Sequence, residues 1–160
     1  MNMREHFRAF YRVVANDETL LRLLHYKPTT SLEDPLSLLK PNILGLPNRW
    51  EITNNVINTT PKTDDLTTKS QCRLFIYLGR RGNTHNYLMA TQEVTFDVLV
   101  GMDWHEIDQR QLAICDRINE LVNQEFISGV TRTKYKTGVP ISAPEGFLGY
   151  RLVYEIGSMK

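Results

Sequence analysis

The sequence predicts an α+β fold, a mostly antiparallel sheet with helices packed on one face. Three observations carry this. Apolar residues alternate with period 2 over residues 72–78, 87–100 and 148–156, as half-buried strands require. Apolar residues recur at helical spacing over residues 3–24 and 104–126. From residue 70 onward the order reads β-β-α-β-β, and sequential strands with short connections pair antiparallel more readily than they cross over. With 160 residues the chain fits one domain. It divides into N-terminal helices (1–27), a loop-rich segment (28–69) and the sheet-forming core (70–157).

Phe7, Phe10, Tyr11 and Val14 form one helical stripe, and Leu20, Leu21 and Leu24 a second. Asn16-Asp17-Glu18 between them supplies capping chemistry, so two short helices are expected rather than one. Pro28 ends the second and pushes Lys27 toward extended geometry. Pro28, Pro35, Pro41 and Pro47 make residues 28–50 loop-rich. A helical turn is expected over 34–39, with Asp34 as cap and Pro35 at its first position. Leu36, Leu38, Leu39, Leu44 and Leu46 imply that this stretch packs on something, either the domain's own core or a neighbouring subunit. Residues 50–58 read as a weak strand, and 59–70, with Pro61, Asp64 and Asp65, as a mobile loop.

Leu74, Ile76 and Leu78 share one face of the strand at 72–78, and Gly79 to Asn83 reads as a turn-rich connection. In the next strand Val94, Phe96, Val98 and Val100 share a buried face, opposite Glu93, Thr95, Asp97 and Leu99. One long helix follows over 104–126, striped with Ile107, Ile114, Cys115, Ile118, Leu121 and Val122. Asp103 and Glu106 form a capping-box-like pair at its start. A strand is expected over 127–137 and a Pro- and Gly-containing loop over 138–146. Leu148, Tyr150, Leu152, Tyr154 and Ile156 line one face of the last strand.

The formal net charge of +1, from 19 basic and 18 acidic residues, excludes a bulk field that draws the chain to nucleic acid or anionic membrane. No apolar run approaches the ~18 residues needed to cross a bilayer, and there is no signal-peptide pattern. No membrane partner is expected. Cys72 and Cys115 sit inside apolar patterns and read as small buried hydrophobes; their spacing builds no metal site.

No cofactor and no catalytic centre is predicted. His6, His25, His85 and His105 are scattered, with no pair one helical turn apart. Glu93 and Asp97 share a strand face but lie about 13 Å apart, too far to share one metal. Asp64, Asp65 and Lys69 allow a metal-dependent nuclease to be imagined, although their spacing sets no common rigid scaffold. Gly79-Arg80-Arg81-Gly82 lacks the phosphate-loop pattern. Arg80 and Arg81 remain candidates for docking on a partner. Arg132, Lys134 and Lys136 alternate with Thr131, Thr133 and Tyr135. On a strand they form a basic stripe that either blunts a sheet edge, contacts a subunit or touches phosphates. The candidate interface residues are therefore Arg80, Arg81, Arg132, Lys134 and Lys136.

Residues 70–157 resemble the tail-terminator and tail-completion (neck) proteins of long-tailed bacteriophages. The resemblance lies in the strand Gln71-Cys72-Arg73-Leu74-Phe75-Ile76-Tyr77 and in Gln92-Glu93-Val94-Thr95-Phe96-Asp97-Val98. It continues through the helix with Ile114-Cys115-Asp116-Arg117-Ile118-Asn119-Glu120-Leu121 to the closing strand Gly149-Tyr150-Arg151-Leu152-Val153-Tyr154. It implies a non-enzymatic virion protein, assembled in the host cytoplasm into a hexameric ring at the head-proximal end of the tail tube. The partners implied are the tail tube protein, the head-completion or connector protein, and genome DNA that passes through the lumen without specific binding. Residues 28–50 have no counterpart in it. The alternatives are a head-completion protein of the neck, and a small nucleic-acid-binding domain using the basic strand.

Overall fold

Val94, Phe96, Val98 and Val100 are fully buried, and the strand that carries them is the middle of the sheet. In the computed structural model, which describes residues 2–68 and 70–160, the strands are β1 (Ile57–Asn58), β2 (Cys72–Asn83), β3 (Met89–Gly101), β4 (Lys134–Ile141) and β5 (Phe147–Met159). They form one sheet of order β1-β2-β3-β5-β4. Every neighbouring pair is antiparallel except β1 and β2. The helices are α1 (Met3–Ala15), α2 (Glu18–His25), α3 (Arg49–Val56), α4 (Met102–Asp108) and α5 (Arg110–Val122). Phe10, Leu20, Leu24, Ile114 and Ile118 pack with Leu74, Phe96 and Tyr154 into the main core on one sheet face. This is the α+β arrangement that the periodicities predict.

The break between α1 and α2 falls at Asn16-Asp17 as expected. The Asp17 carboxylate accepts the Leu20 backbone N–H at 2.8 Å, satisfying one orphan donor of the new helix.

Several expectations are overturned locally. Residues 49–56 form α3 rather than a strand, leaving only Ile57–Asn58 extended. Ile52, Thr53 and Val56 reach the helix layer together, and that burial outweighs the strand propensity of the β-branched residues. The expected turn at Gly79–Asn83 is instead strand: β2 runs on to Asn83 through a bulge between Leu78 and Arg81. Residues 34–39 form turns, not a helix, with Asp34 accepting the Leu36 N–H at 2.9 Å. The long helix divides at Gln109, whose left-handed backbone (φ 54°) separates α4 from α5. Gly101, not Asp103, caps α4. Asp103 instead accepts from Ser70 and pairs with Lys27 at 2.8 Å.

The strand expected over 127–137 begins only at Lys134 and continues to Ile141. Residues 127–133 are held irregular by side-chain and backbone bonds to the end of β5. Thr131 Oγ1 accepts the Gly157 N–H at 2.7 Å, and Val130 N–H donates to Gly157 O at 2.9 Å. Gly129 adopts φ +79°, and a Cβ there would stand 2.2 Å from Gly157 O, so only glycine fits. Pro140 lies within β4, which its position on the sheet edge permits because no ladder donor is needed there.

The helix-free face is not simply wet. Leu66, Phe75, Leu99 and Phe147 form a second small core, with Leu66 supplied by a 3-10 turn over Asp64–Thr68. Arg73 anchors that turn through Asp65 at 2.7 and 2.8 Å, which holds the Asp65 carboxyl at about 2.

Arg110 is 1% exposed and has all its bonding internal. Nε and a terminal nitrogen donate to Asp108 at 3.0 and 2.7 Å, and the other terminal nitrogen donates to Leu23 O and Tyr26 O at 2.7 and 2.6 Å. Its guanidinium lies 5.2 Å from the Trp104 ring centre. Arg110→Ala is expected to lower unfolding free energy by about 3 kcal/mol, because it strands a half-buried carboxylate and two carbonyls. Urea denaturation checks this, and a loss under about 1 kcal/mol would refute it.

His6 is buried between two hydroxyls, Nδ1 2.7 Å from Ser128 and Nε2 2.7 Å from Ser158. Burial first, then the Arg81 charge, lower its pKa below 6.5, with Glu5 acting the other way. The folded state therefore holds this proton less tightly than the unfolded one. Its contribution to stability is complete above pH 6.5 and declines as pH falls below it. Denaturation midpoints should fall between pH 7 and 5, and His6→Gln should flatten that slope. His25, also lowered by burial, leaves a residual slope. An unchanged slope in the variant would sink the assignment.

Candidate functional site

Glu18 and Arg22 stand one turn apart on α2 and organise the whole of the Pro-rich segment. Arg22 is buried and donates to Glu18 at 2.8 Å, to Pro35 O at 3.2 Å, Ser37 O at 2.9 Å, Lys40 O at 2.9 Å and Asn42 Oδ1 at 2.6 Å. The planar five-donor fork suits this convergence of carbonyls. Glu18 accepts the backbone N–H groups of Ile43 and Leu44 at 2.7 and 2.9 Å. Lys40 and Glu33 pair at 2.6 Å. That hydrogen bond, then those from Thr29, holds Glu33 at about 2.

The segment resolves into two parts. Leu44 and Leu46 pack on the domain's own core. Leu32, Leu38 and Leu39 are 94–96% exposed. Transfer of one such side chain from water into an apolar contact is worth about 1.5–3 kcal/mol. Leu38 and Leu39 sit on the stretch that Arg22 holds in place.

A groove lies on the other side of α5. Arg117 turns toward α2 and grips Asp17 at 2.7 and 2.9 Å. Leu112, Cys115 and Asn119 turn the opposite way, over β4 and β5. The helix layer ends there, leaving a groove of about 410 Å³ whose walls include Leu112, Cys115, Tyr135, Tyr150 and Leu152. Burial pushes the Cys115 thiol up to about 12, so it is an apolar wall and not a nucleophile. Both cysteines are unbridged.

The helix-free face carries charge instead. Asp97 is buried, accepts from Arg151 Nε and one terminal nitrogen at 2.7 and 2.9 Å, and accepts the Tyr77 hydroxyl at 2.7 Å. Burial, then that bond, pushes the Tyr77 hydroxyl up to about 12. A second groove of about 910 Å³ opens beside it, walled in part by Phe75, Leu99, Pro140 and Arg151. Within it Arg151 and Asp97 satisfy each other. Among the described residues no group of three His, Cys, Asp or Glu side chains is placed to hold a metal. No helix among them is long and apolar enough to cross a membrane.

The sequence-predicted interface residues do not form one stripe. Arg81 is half-buried and donates to Gln92, Ser158 and Met159 O. Arg132 precedes β4, donates to Gln124 O at 2.8 Å and lies over Phe126. Lys136 occupies the β4 bulge and pairs with Glu93 at 2.5 Å and Glu155 at 3.4 Å. That contact with Glu93 raises the Lys136 pKa and lowers that of Glu93. Arg80 and Lys134 are exposed, and neither side chain makes an ion pair among the described residues. Asp64 and Asp65 stand on the 3-10 turn; Lys69 lies outside the described residues. The leucine loop and the groove were not among the predicted positions. The apolar run in 28–50 signalled the first, and nothing local signals the second.

Comparison with known proteins places this architecture. The YomW family model matches residues 17–156. The chain belongs to the YomW family. It is 34% identical over 168 aligned positions, covering 98% of this chain and 97% of the relative, to the SPbeta prophage-derived protein YomW of Bacillus subtilis (strain 168). The YomW match spans the Arg22-held loop, the groove and the helix-free face alike.

Replacing Arg22 with Gln should release the loop. Hydrogen exchange at residues 35–44 is expected to accelerate about tenfold or more, since hydrogen bonds to a charged donor are worth about 1.5–3 kcal/mol each. The β3 and β5 amides should stay protected. Unchanged exchange in the loop would show that Arg22 does not hold it.

Proposed function

We propose that this YomW-family chain is a structural phage protein of the tail-terminator kind. In this reading it forms a ring at the head-proximal end of the tail tube and meets the head-completion proteins above. The single observation that carries the reading is the set of leucines on a rigid, solvent-facing loop, paired with an open apolar groove elsewhere on the same molecule. Exposed, ordered apolar side chains belong to surfaces that are covered in an assembly. The SPbeta prophage-derived relative supports a phage setting. A near-neutral chain, at +1, suits subunits that crowd together without mutual repulsion, and a wall that DNA passes without sticking. The role is structural, not catalytic. Arg80 and Lys134 are the candidate cations for contact with the tail tube or head-completion partner.

Light scattering over a wide concentration range, with and without short duplex DNA, tests the reading. A mass that rises to a closed multiple of 18.6 kDa, or does so only with a tail-tube partner, is the expected result. A strict monomer that binds duplex at low salt and releases it at high salt would replace this reading with nucleic-acid binding. Charge reversal at Arg80 and Lys134 should weaken the partner contact while changing stability by no more than about 0.5 kcal/mol.

A further inference from the structure

We infer that the outward face of α1 is a nucleic-acid contact, in which Arg4, Arg8 and Arg12 meet backbone phosphates without reading base sequence. This surface is separate from those of the assembly reading, and the contact holds for one copy or for many.

The row is contiguous and rigid. Residues four apart on a helix are neighbours on its surface, so the three arginines stand in line along Met3–Ala15. All three are exposed. The same helix buries His6, Phe10, Val14 and Ala15 on its other side, which fixes the direction that the row faces. From Arg4 to Arg12 the helix rises about 12 Å, as far as one DNA strand rises in about three to four nucleotides.

The row is also uncommitted. Among the described residues none of the three side chains forms an ion pair, whereas Arg81, Arg132 and Lys136 are bonded into the fold. Left bare, the row works against its own helix. Like charges one turn apart repel, and Arg4 lies in the first turn, where the positive end of the helix dipole disfavours a cation. A polyanion laid along the row relieves both.

The chemistry of the face favours phosphate over a protein surface. Among the large apolar side chains of α1 only Met3 is exposed, at 38%, and Phe7 and Tyr11 pack on the core. A protein–protein contact needs an apolar centre, and the face around Arg4 and Arg8 offers none. Nucleic-acid interfaces are polar and cationic, and the planar fork of arginine matches phosphate.

Acidic and apolar neighbours set the limits of the contact. Glu5 is the one acidic residue of α1. Arg12 borders a groove between α1 and the end of α5, with Glu120 and Glu125 on its wall beside Val13, Leu121 and Phe126. Glu120 is already paired with Arg117, and Arg132 lies over Phe126. Arg4 and Arg8 therefore contribute more than Arg12. At a net charge of +1 the chain has no long-range field, so the contact is local and weak.

Fluorescence anisotropy of a short labelled duplex, titrated with the full chain at about 50 and about 200 mM salt, tests this. Three phosphate contacts predict that affinity falls about 40-fold across that range for a single bound copy, and more steeply if copies assemble. Arg4→Gln or Arg8→Gln should weaken low-salt binding alike for unrelated duplex sequences and cut the salt effect to about 12-fold. Arg12→Gln should do less. The triple variant should lose binding yet melt no earlier than the natural chain, since it removes like charges from an exposed face.

Absence of binding at low salt overturns the contact. So does binding that the triple variant retains, or that Lys134→Gln abolishes, which would move the contact to β4. Polyglutamate that displaces the duplex at equal charge would mean a carboxylate-bearing protein partner instead. Light scattering on the same samples keeps this apart from the assembly reading. An assembled chain that binds duplex satisfies both, an assembled chain that does not loses only the α1 contact, and a strict monomer that binds keeps only that contact.

Discussion

A guanidinium buried at the junction of three helices sets the geometry on which the other surfaces depend. Arg110 is the first residue of α5. It bonds the carbonyls of Leu23 and Tyr26 at the end of α2, and Asp108 at the end of α4. Placing a charge out of water is expensive unless every donor is met, so the three helix ends have very little freedom around it. The left-handed Gln109 makes this convergence possible by turning the chain between Asp108 and Arg110. The end of α2 is where the leucine loop departs, and the flank of α5 is the wall of the groove. One buried cation therefore aligns both candidate assembly surfaces.

The two sheet faces solve different problems. The helix-covered face is held by apolar burial, from Phe10 and Leu20 through Phe96 to Ile118. The other face has only a small apolar cluster around Phe75 and Leu99. It relies on cross-strand ion pairs: Arg73 with Asp65, Arg151 with Asp97, and Lys136 with Glu93. Such pairs satisfy polar side chains at partial burial and specify register: Arg151–Asp97 joins paired strands, Lys136–Glu93 reaches across β5, and Arg73–Asp65 ties a turn to β2. They add less stability than the core does. Of the basic stripe that the sequence suggests, Lys136 joins this bracing, whereas Arg132 bonds the Gln124 carbonyl and Lys134 stays exposed.

In the assembly reading, apolar surface must stay in water until a partner arrives. This chain limits the hazard by holding its exposed leucines on a short loop rather than on a strand edge. The edge strand β4 is guarded by a bulge, a proline and lysines. The separation of the two functions, a guarded backbone edge and a presented side-chain cluster, is consistent with contact through one defined geometry.

By itself, the sequence determined the elements whose signal is local and periodic. The alternation of Val94, Phe96, Val98 and Val100, and of Leu152, Tyr154 and Ile156, specified β3 and β5, because one buried sheet face demands period 2. The Asn16-Asp17 cap marked the break between α1 and α2. The leucines of 28–50 announced a segment that packs on something, and Leu44 and Leu46 do so on the domain's own core. Tertiary structure decided the rest. Residues 49–56 became helical because α3 completes the helix layer beside α2. Arg81 and Lys136 found partners distant in sequence, Ser158 and Glu93, and Arg132 bonded the Gln124 carbonyl just before β4. The groove exists only because α5 stops short of β4. Charge and exposure depend on what folds beside a residue, and no local pattern records that.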